Sequence, residues 1–277
     1  IQEEEIEKKK EKIEEQKIEE EKKSEFKTFT YRIDLPKHKT GFLHSVLPFI
    51  HDFAMIDDQH ILIALTPIEV GWSNIGMTDK YPTQFAILDL ATEQTTFYPV
   101  TGHKPFILMH FADIKQRGDR LHIWGSQYDE VNFMKSPHHL KGRYRESILD
   151  RKTGAVEIKK SAKWEKQNMD FPVTISRGAA NNVVCMRSVS EQYVADRLLF
   201  FRGLHKIGEY RFVGRFLCGE PAWDNKNGVL CGLAYDIENK TRSFYWELEW
   251  PSYSLSETEL DTNIQLCLGF HSGIYNM

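Results

Sequence analysis

From Phe26 onward the chain alternates short runs of apolar, β-branched and aromatic residues with small polar clusters. The runs include 28–33 (TFTYRI), 60–65 (HILIAL), 84–90 (QFAILDL), 120–124 (RLHIW), 182–186 (NVVCM), 197–202 (RLLFFR), 228–236 (GVLCGLAYD) and 242–248 (RSFYWEL). Turn-forming clusters separate them, such as Arg117-Gly118-Asp119, Lys152-Thr153-Gly154, Asp224 to Gly228 and Glu238-Asn239-Lys240. Strands at this spacing, with no long amphipathic helix between them, predict an all-β domain. About seventeen strand candidates are present; at four strands to a blade they would make about four to five propeller blades. That would be a closed ring of that size or part of a larger one. A sandwich or barrel fits the pattern equally well, since no WD or Kelch-type repeat marks a propeller.

Residues 1–25 break the pattern. Eighteen of them are Glu or Lys, and none is Gly, Pro or aromatic. Ile6, Ile13 and Ile18 are too few to make an apolar face. This predicts a charged segment, either a solvated helix with i,i+4 pairs or a disordered arm, set apart from a β domain over 26–277. A coiled-coil partner is the more specific alternative.

The 277 residues suffice to bury a core. With 36 basic and 40 acidic residues the net charge is −4, a near balance that gives no reason to expect a nucleic-acid surface. No run approaches the roughly 18 apolar residues of a membrane span. Cys185, Cys218, Cys231 and Cys267 form no CxxC pair and read as buried reduced thiols, which fits a reducing compartment such as cytoplasm or plastid. The sequence starts at Ile1 without a signal-peptide pattern, as a fragment or processed chain would.

Of eleven histidines, eight read as solvated or locally satisfied. Three stand where an apolar strand meets a turn: His51 in Pro48-Phe49-Ile50-His51-Asp52-Phe53-Ala54, His110 in Phe106 to Asp113, and His271 in Leu268-Gly269-Phe270-His271-Ser272-Gly273. Their separations of 59 and 161 positions match no local metal motif.

The segments His51-Asp52-Phe53-Ala54, His110-x-x-Asp113, Asp170-Phe171-Pro172, Gly219-Glu220-Pro221 and Gly269-Phe270-His271 occur in one order. That order resembles the carotenoid cleavage oxygenases, a family that includes retinoid isomerases and stilbene-cleaving enzymes. The resemblance runs from about Thr30 to the C-terminus. It implies a seven-bladed β-propeller with Fe(II) held by four histidines, of which His51, His110 and His271 match the second, third and last. Neutral imidazoles suit Fe(II), and open coordination positions can take O₂. The family fixes the outer ring nitrogens of its ligands with glutamates. Glu220 matches one of these, and Asp170 stands where another is usual. An aspartate is one methylene shorter, so a bridging water or a shifted histidine is expected there. Phe53, Phe111, Phe171 and Phe270 flank these positions and would line an apolar tunnel or simply pack the core.

Three departures qualify the resemblance. Asp113 replaces a usual Asn, Ser272 replaces a usual Gly, and the region where the first histidine ligand belongs is the Glu/Lys run. The expectation is therefore a fragment or divergent copy of an Fe(II) dioxygenase that cleaves a conjugated C=C bond of a carotenoid or apocarotenoid. Its partners would be an apolar polyene and O₂, with peripheral membrane contact through 42–50 and 131–134. The rival expectation is a non-catalytic propeller serving as a binding module.

Overall fold

The tight turns between strands follow directly from the sequence. Asp89, Asp150, Asp224 and Asp236 each end a strand and accept the backbone N–H groups two and three residues ahead, at 2.8 to 3.1 Å. Gly118 and Gly203, at φ of 60° and 57°, close two further hairpins. The structure, a computed structural model, describes residues 45–72, 75–134, 140–175, 182–189, 195–239 and 242–260. The charged segment 1–25, the run 28–33, Cys267, Phe270, His271 and Ser272 lie outside the described residues.

Among the described residues every regular element is a strand, and the strands form four antiparallel sheets in chain order. The first holds β1 (Ser45–Phe49), β2 (Phe53–Met55), β3 (His60–Val70), β4 (Ile75–Met77), β5 (Gln84–Asp89) and β6 (Thr95–Pro99). The second holds β7 (Ile107–Arg117), β8 (Arg120–Tyr128), β9 (Gly142–Asp150) and β10 (Val156–Lys159). The third holds β11 (Asn168–Ile175), β12 (Val183–Val189), β13 (Ala195–Arg202) and β14 (His205–Arg211). The fourth holds β15 (Arg215–Asp224), β16 (Val229–Asp236), β17 (Ser243–Glu249) and β18 (Leu255–Leu260).

The last three sheets are simple up-and-down meanders of four strands. The first follows the same plan with its leading strand broken. β1 pairs with the far half of β3, from Thr66 to Val70, and β2 with Ile61 to Ile63. Residues 50–52 lie in the gap, and His51 is among them.

The sheets pack face on face in sequence order. Leu62, Phe85, Phe106, Leu121 and Leu149 fill the contact between the first and second. Trp124, Tyr144, Met186, Leu199 and Phe201 fill the next, and Phe200, Phe212, Leu217, Leu230 and Trp246 the last. The leading strand β11 touches both β7 and β15, so leading strands of successive sheets are neighbours. This is the packing of propeller blades. The described cysteines, Cys185, Cys218 and Cys231, are free and buried in these layers.

Two strands run longer than their apolar runs. β3 passes through Pro67, which sits opposite Pro48 of β1. β8 continues through Gly125 to Tyr128, and a Cβ at Gly125 would lie 2.6 Å from the carbonyl oxygen of His110. Glycine there lets β8 stay beside the irregular stretch of β7 that carries the histidine.

Candidate metal centre

The leading strands carry the candidate residues. β7 is bulged twice, between Leu108 and His110 and between Phe111 and Asp113. β11 is bulged between Asp170 and Pro172, where Phe171 has a φ of 55°. Bulges re-aim side chains out of the regular alternation. Here they turn His110 and Asp170, 60 residues apart, toward each other: Nδ1 of His110 lies 2.7 Å from Oδ1 of Asp170. An ionised carboxylate only accepts, so Nδ1 carries the proton and donates it.

Of the two expectations for the shorter aspartate, a bridging water or a shifted histidine, the direct bond removes the first; it forms beside the bulge of β11 between Asp170 and Pro172. The other Asp170 oxygen, Oδ2, accepts the buried Tyr128 hydroxyl, so the carboxylate is held at both ends. Burial works against the Asp170 charge, but the bond and charge of His110, the Tyr128 hydroxyl and the Phe171 amide outweigh it, and its pKa falls below the ordinary carboxylate value. Burial likewise disfavours an imidazolium at His110, yet the bond and charge of Asp170, with Glu220 and Asp52 nearby, raise its pKa overall. Burial, then the Asp170 charge, drives the Tyr128 pKa well above that of a free phenol.

His51 approaches from the gap between β1 and β2. Its ring centroid is 5.1 Å from that of His110 and nearly perpendicular to it, at 78°. Two imidazoles from different sheets therefore meet at one place, with Asp170 behind one of them. Asp52 ties the two segments together: Oδ1 accepts the Phe53 N–H and Oδ2 the Phe111 N–H, both at 2.8 Å. Glu220 stands on β15, close enough to act electrostatically on His110. Asp113 bonds Asn182 at 3.1 Å and Lys115 at 3.2 Å. Among the described residues no group of three or more His, Cys, Asp or Glu side chains is arranged to hold a metal; His271 is not one of those residues.

The aromatic neighbours differ in setting. The Phe171 ring lies 5.0 Å from His110, and the Arg187 guanidinium lies over the same ring at 4.0 Å. Arg187 is largely buried, donates to the Leu217 carbonyl at 3.1 Å, and its Nε–H meets no acceptor among the described residues. Phe111 packs against the core between the first two sheets. Phe53 is 60% exposed. The described histidines outside the cluster include His60, bonded to Asp57 at 2.8 Å, and His122, bonded to Glu146 at 2.6 Å. A cavity of about 960 Å³ opens elsewhere, beside Lys80, Lys104, Asp129 and Lys141, and none of the candidate residues lines it.

Asp52, Tyr128 and Arg187 were not among the residues singled out by sequence. Asp52 adjoins His51 within a segment already noted, so its neighbourhood was a signal. Tyr128 and Arg187 lie in ordinary strand contexts that offered none.

No protein-family model matches the sequence, and neither does any curated protein. Solved structures do match. The cobalt-substituted apocarotenoid oxygenase of Synechocystis is similar at a TM-score of 0.62 and 16% identity, over 80% of this chain and 52% of that one. A chimera of that oxygenase with RPE65 gives a TM-score of 0.62 at 17% identity, with the same coverage. A single-residue variant of the Synechocystis enzyme gives 0.61 and 16%, over 79% and 51%. The chain spans about half the length of these structures. Over that half it has their fold, the β-propeller of the apocarotenoid oxygenases, represented among the described residues by four successive blades.

Proposed function

We propose that the chain is part of a carotenoid cleavage oxygenase, an Fe(II)-dependent dioxygenase that splits a conjugated C=C bond of a carotenoid or apocarotenoid into two carbonyl products. The observation that carries this reading is the convergence of His51 and His110, from different blades, with Asp170 bonded to the outer nitrogen of one ring. The shared fold supports it, as do the five ordered sequence segments.

The donors fit the metal. Nδ1 of His110 is committed to Asp170, so Nε2 would be the ligating nitrogen, in the arrangement usual for metal-binding imidazoles. His51 would supply a second ligand and His271 a third. Imidazole suits Fe(II), and the carboxylates of Asp170, Glu220 and Asp52 give the locality a negative charge that favours a cation. Iron supplies the reaction with triplet O₂ that a spin-paired polyene lacks. The protein's own share is to hold the imidazoles in one tautomer and orientation, and to bring an apolar substrate alongside them. Phe171, whose ring is tilted against His110 at 5.0 Å, would pack against that substrate.

A polyene partitions into membranes, and peripheral membrane contact belongs to this reading. Leu47, Ile50, Phe133 and Met134 are exposed at 43 to 63%, and the Phe49 and Phe133 rings lie 5.4 Å apart, so the described parts of the two apolar stretches adjoin there; residues 42–44 lie outside the described residues. No helix among the described residues is long and apolar enough to cross a membrane.

The test is to load the purified protein with Fe(II), measure bound iron, and follow O₂-dependent loss of polyene absorbance with appearance of two carbonyl products. Iron retention and turnover that are both lost in His110→Ala are expected. A wild-type protein that holds no iron and behaves like His110→Ala would leave the non-catalytic propeller as the reading.

A further inference from the structure

His51 lies in the break between β1 and β2, outside the ladder that fixes the residues on either side. His110 lies between two bulges of β7, where regular pairing with β8 is twice interrupted. Both rings are thus mounted on irregular backbone, yet they stand at a defined 5.1 Å and 78°. Asp52 offers a physical reason. It directly follows His51, and Phe111 directly follows His110. The 2.8 Å bond from the Phe111 N–H to Oδ2 of Asp52 joins the two histidine positions one residue from each ring, across 59 positions of sequence.

The bond also answers a backbone requirement. β7 is the edge strand of its sheet, so alternate N–H groups point away from β8 and need another acceptor. At Phe111 that acceptor comes from the neighbouring blade. Oδ1 is meanwhile held by the Phe53 N–H at 2.8 Å, which fixes the side-chain rotation. A carboxylate suits this place because both oxygens must accept. An amide would turn an N–H toward an N–H.

We propose that Asp52 is a positioning residue that sets the spacing and mutual angle of His51 and His110. Its importance for metal binding rests on the iron reading above; its effect on ring geometry does not. Asp52→Asn removes one acceptor. Asp52→Glu keeps the charge but lengthens the arm by a methylene, so it separates geometry from electrostatics. Asp57→Asn is the control, because the bonds of Asp57 among the described residues, to the Gln59 and His60 amides and the His60 ring, stay within its own turn.

The experiment has two arms. The first records ring-proton contacts between His51 and His110 by NMR in the metal-free protein. The contact is expected in wild type and Asp57→Asn, and lost or strongly weakened in both Asp52 variants. The second titrates Co(II) alone and reads the affinity by absorption. A loss of about tenfold or more is expected in both Asp52 variants, the scale seen when groups supporting a ligand are removed. Ring contacts unchanged in Asp52→Asn and Asp52→Glu overturn the proposal. Equal Co(II) binding by wild type and His110→Ala overturns the iron reading instead, and the ring contacts still decide the role of Asp52. If Asp52→Asn does not fold, Asp52→Glu carries both arms.

Discussion

The bond between Asp170 and His110 depends on the residue that follows, Phe171, whose φ of 55° is uncommon for a bulky side chain. That conformation costs on the order of 1–3 kcal/mol and persists where surrounding contacts enforce it. The contacts include the His110 ring and the Arg187 guanidinium, both packed against Phe171. Tyr128 then fixes the far oxygen of Asp170. Tyr128→Phe keeps the packing but removes a donor to a buried carboxylate, and a loss of about 1.5–3 kcal/mol is expected by urea denaturation. Gly125→Ala would place a methyl 2.6 Å from the His110 carbonyl and 2.5 Å from Leu108 Cδ1. Overpacking of this kind costs about 1–3 kcal/mol, measurable in the same assay. Neither effect is visible in the local sequence, because a tyrosine in an apolar strand and a lone glycine have many ordinary explanations. His51 and His110 were legible only because a strand–turn setting and an ordered set of segments surrounded them.

At the scale of elements the period-two pattern and the turn residues carried most of the information. The runs 84–90, 197–202 and 228–236 correspond closely to β5, β13 and β16, because apolar residues there end at an Asp or Gly that closes a turn. The pattern fell short where strands extend through residues that usually stop them, Pro67 in β3 and Gly125 in β8. Bulges are also invisible to periodicity, and they aim the site residues. Between elements, Arg145 on β9 clamps two loops: it bonds Asp129 at 2.7 Å and also Glu165. The Arg145 bond, set against burial, holds the Asp129 carboxyl below its ordinary pKa. The charged form therefore contributes stability above the unfolded pKa of about 3.9, and that contribution is lost as pH falls through the lower folded value. Asp129→Asn should melt below wild type at pH 7, and calorimetry from pH 7 to 3 should show the difference shrinking below about pH 4. In the fourth blade, Trp246 is fully buried and lies over Gly232, where a Cβ would meet the ring at 2.6 Å. Trp246→Ala is expected to cost about 3–5 kcal/mol in chemical denaturation.

At the scale of the whole molecule, metal binding and stability are coupled. A ligand that binds only the folded state stabilises it by about 2.7 kcal/mol at a hundredfold excess over Kd. Co(II) should therefore raise the melting temperature of wild type, a chelator should reverse the rise, and His110→Ala should show neither change by differential scanning fluorimetry. The fold class was readable from strand spacing alone. Its identity as a propeller was not, because blades of this kind share no residue motif and differ from a sandwich only in how the sheets stack. Each of the four sheets is drawn from one contiguous stretch of chain, so its contacts are local and can form early. The histidine cluster has the opposite character, since the Asp52–Phe111 and His110–Asp170 bonds span 59 and 60 positions. On the ribosome, the sheet that carries His110 will have emerged before Asp170 is available to meet it. The His110–Asp170 bond thus marks the docking of the β11–β14 sheet on the β7–β10 sheet, and refolding followed at Tyr128 should lag behind the appearance of β structure.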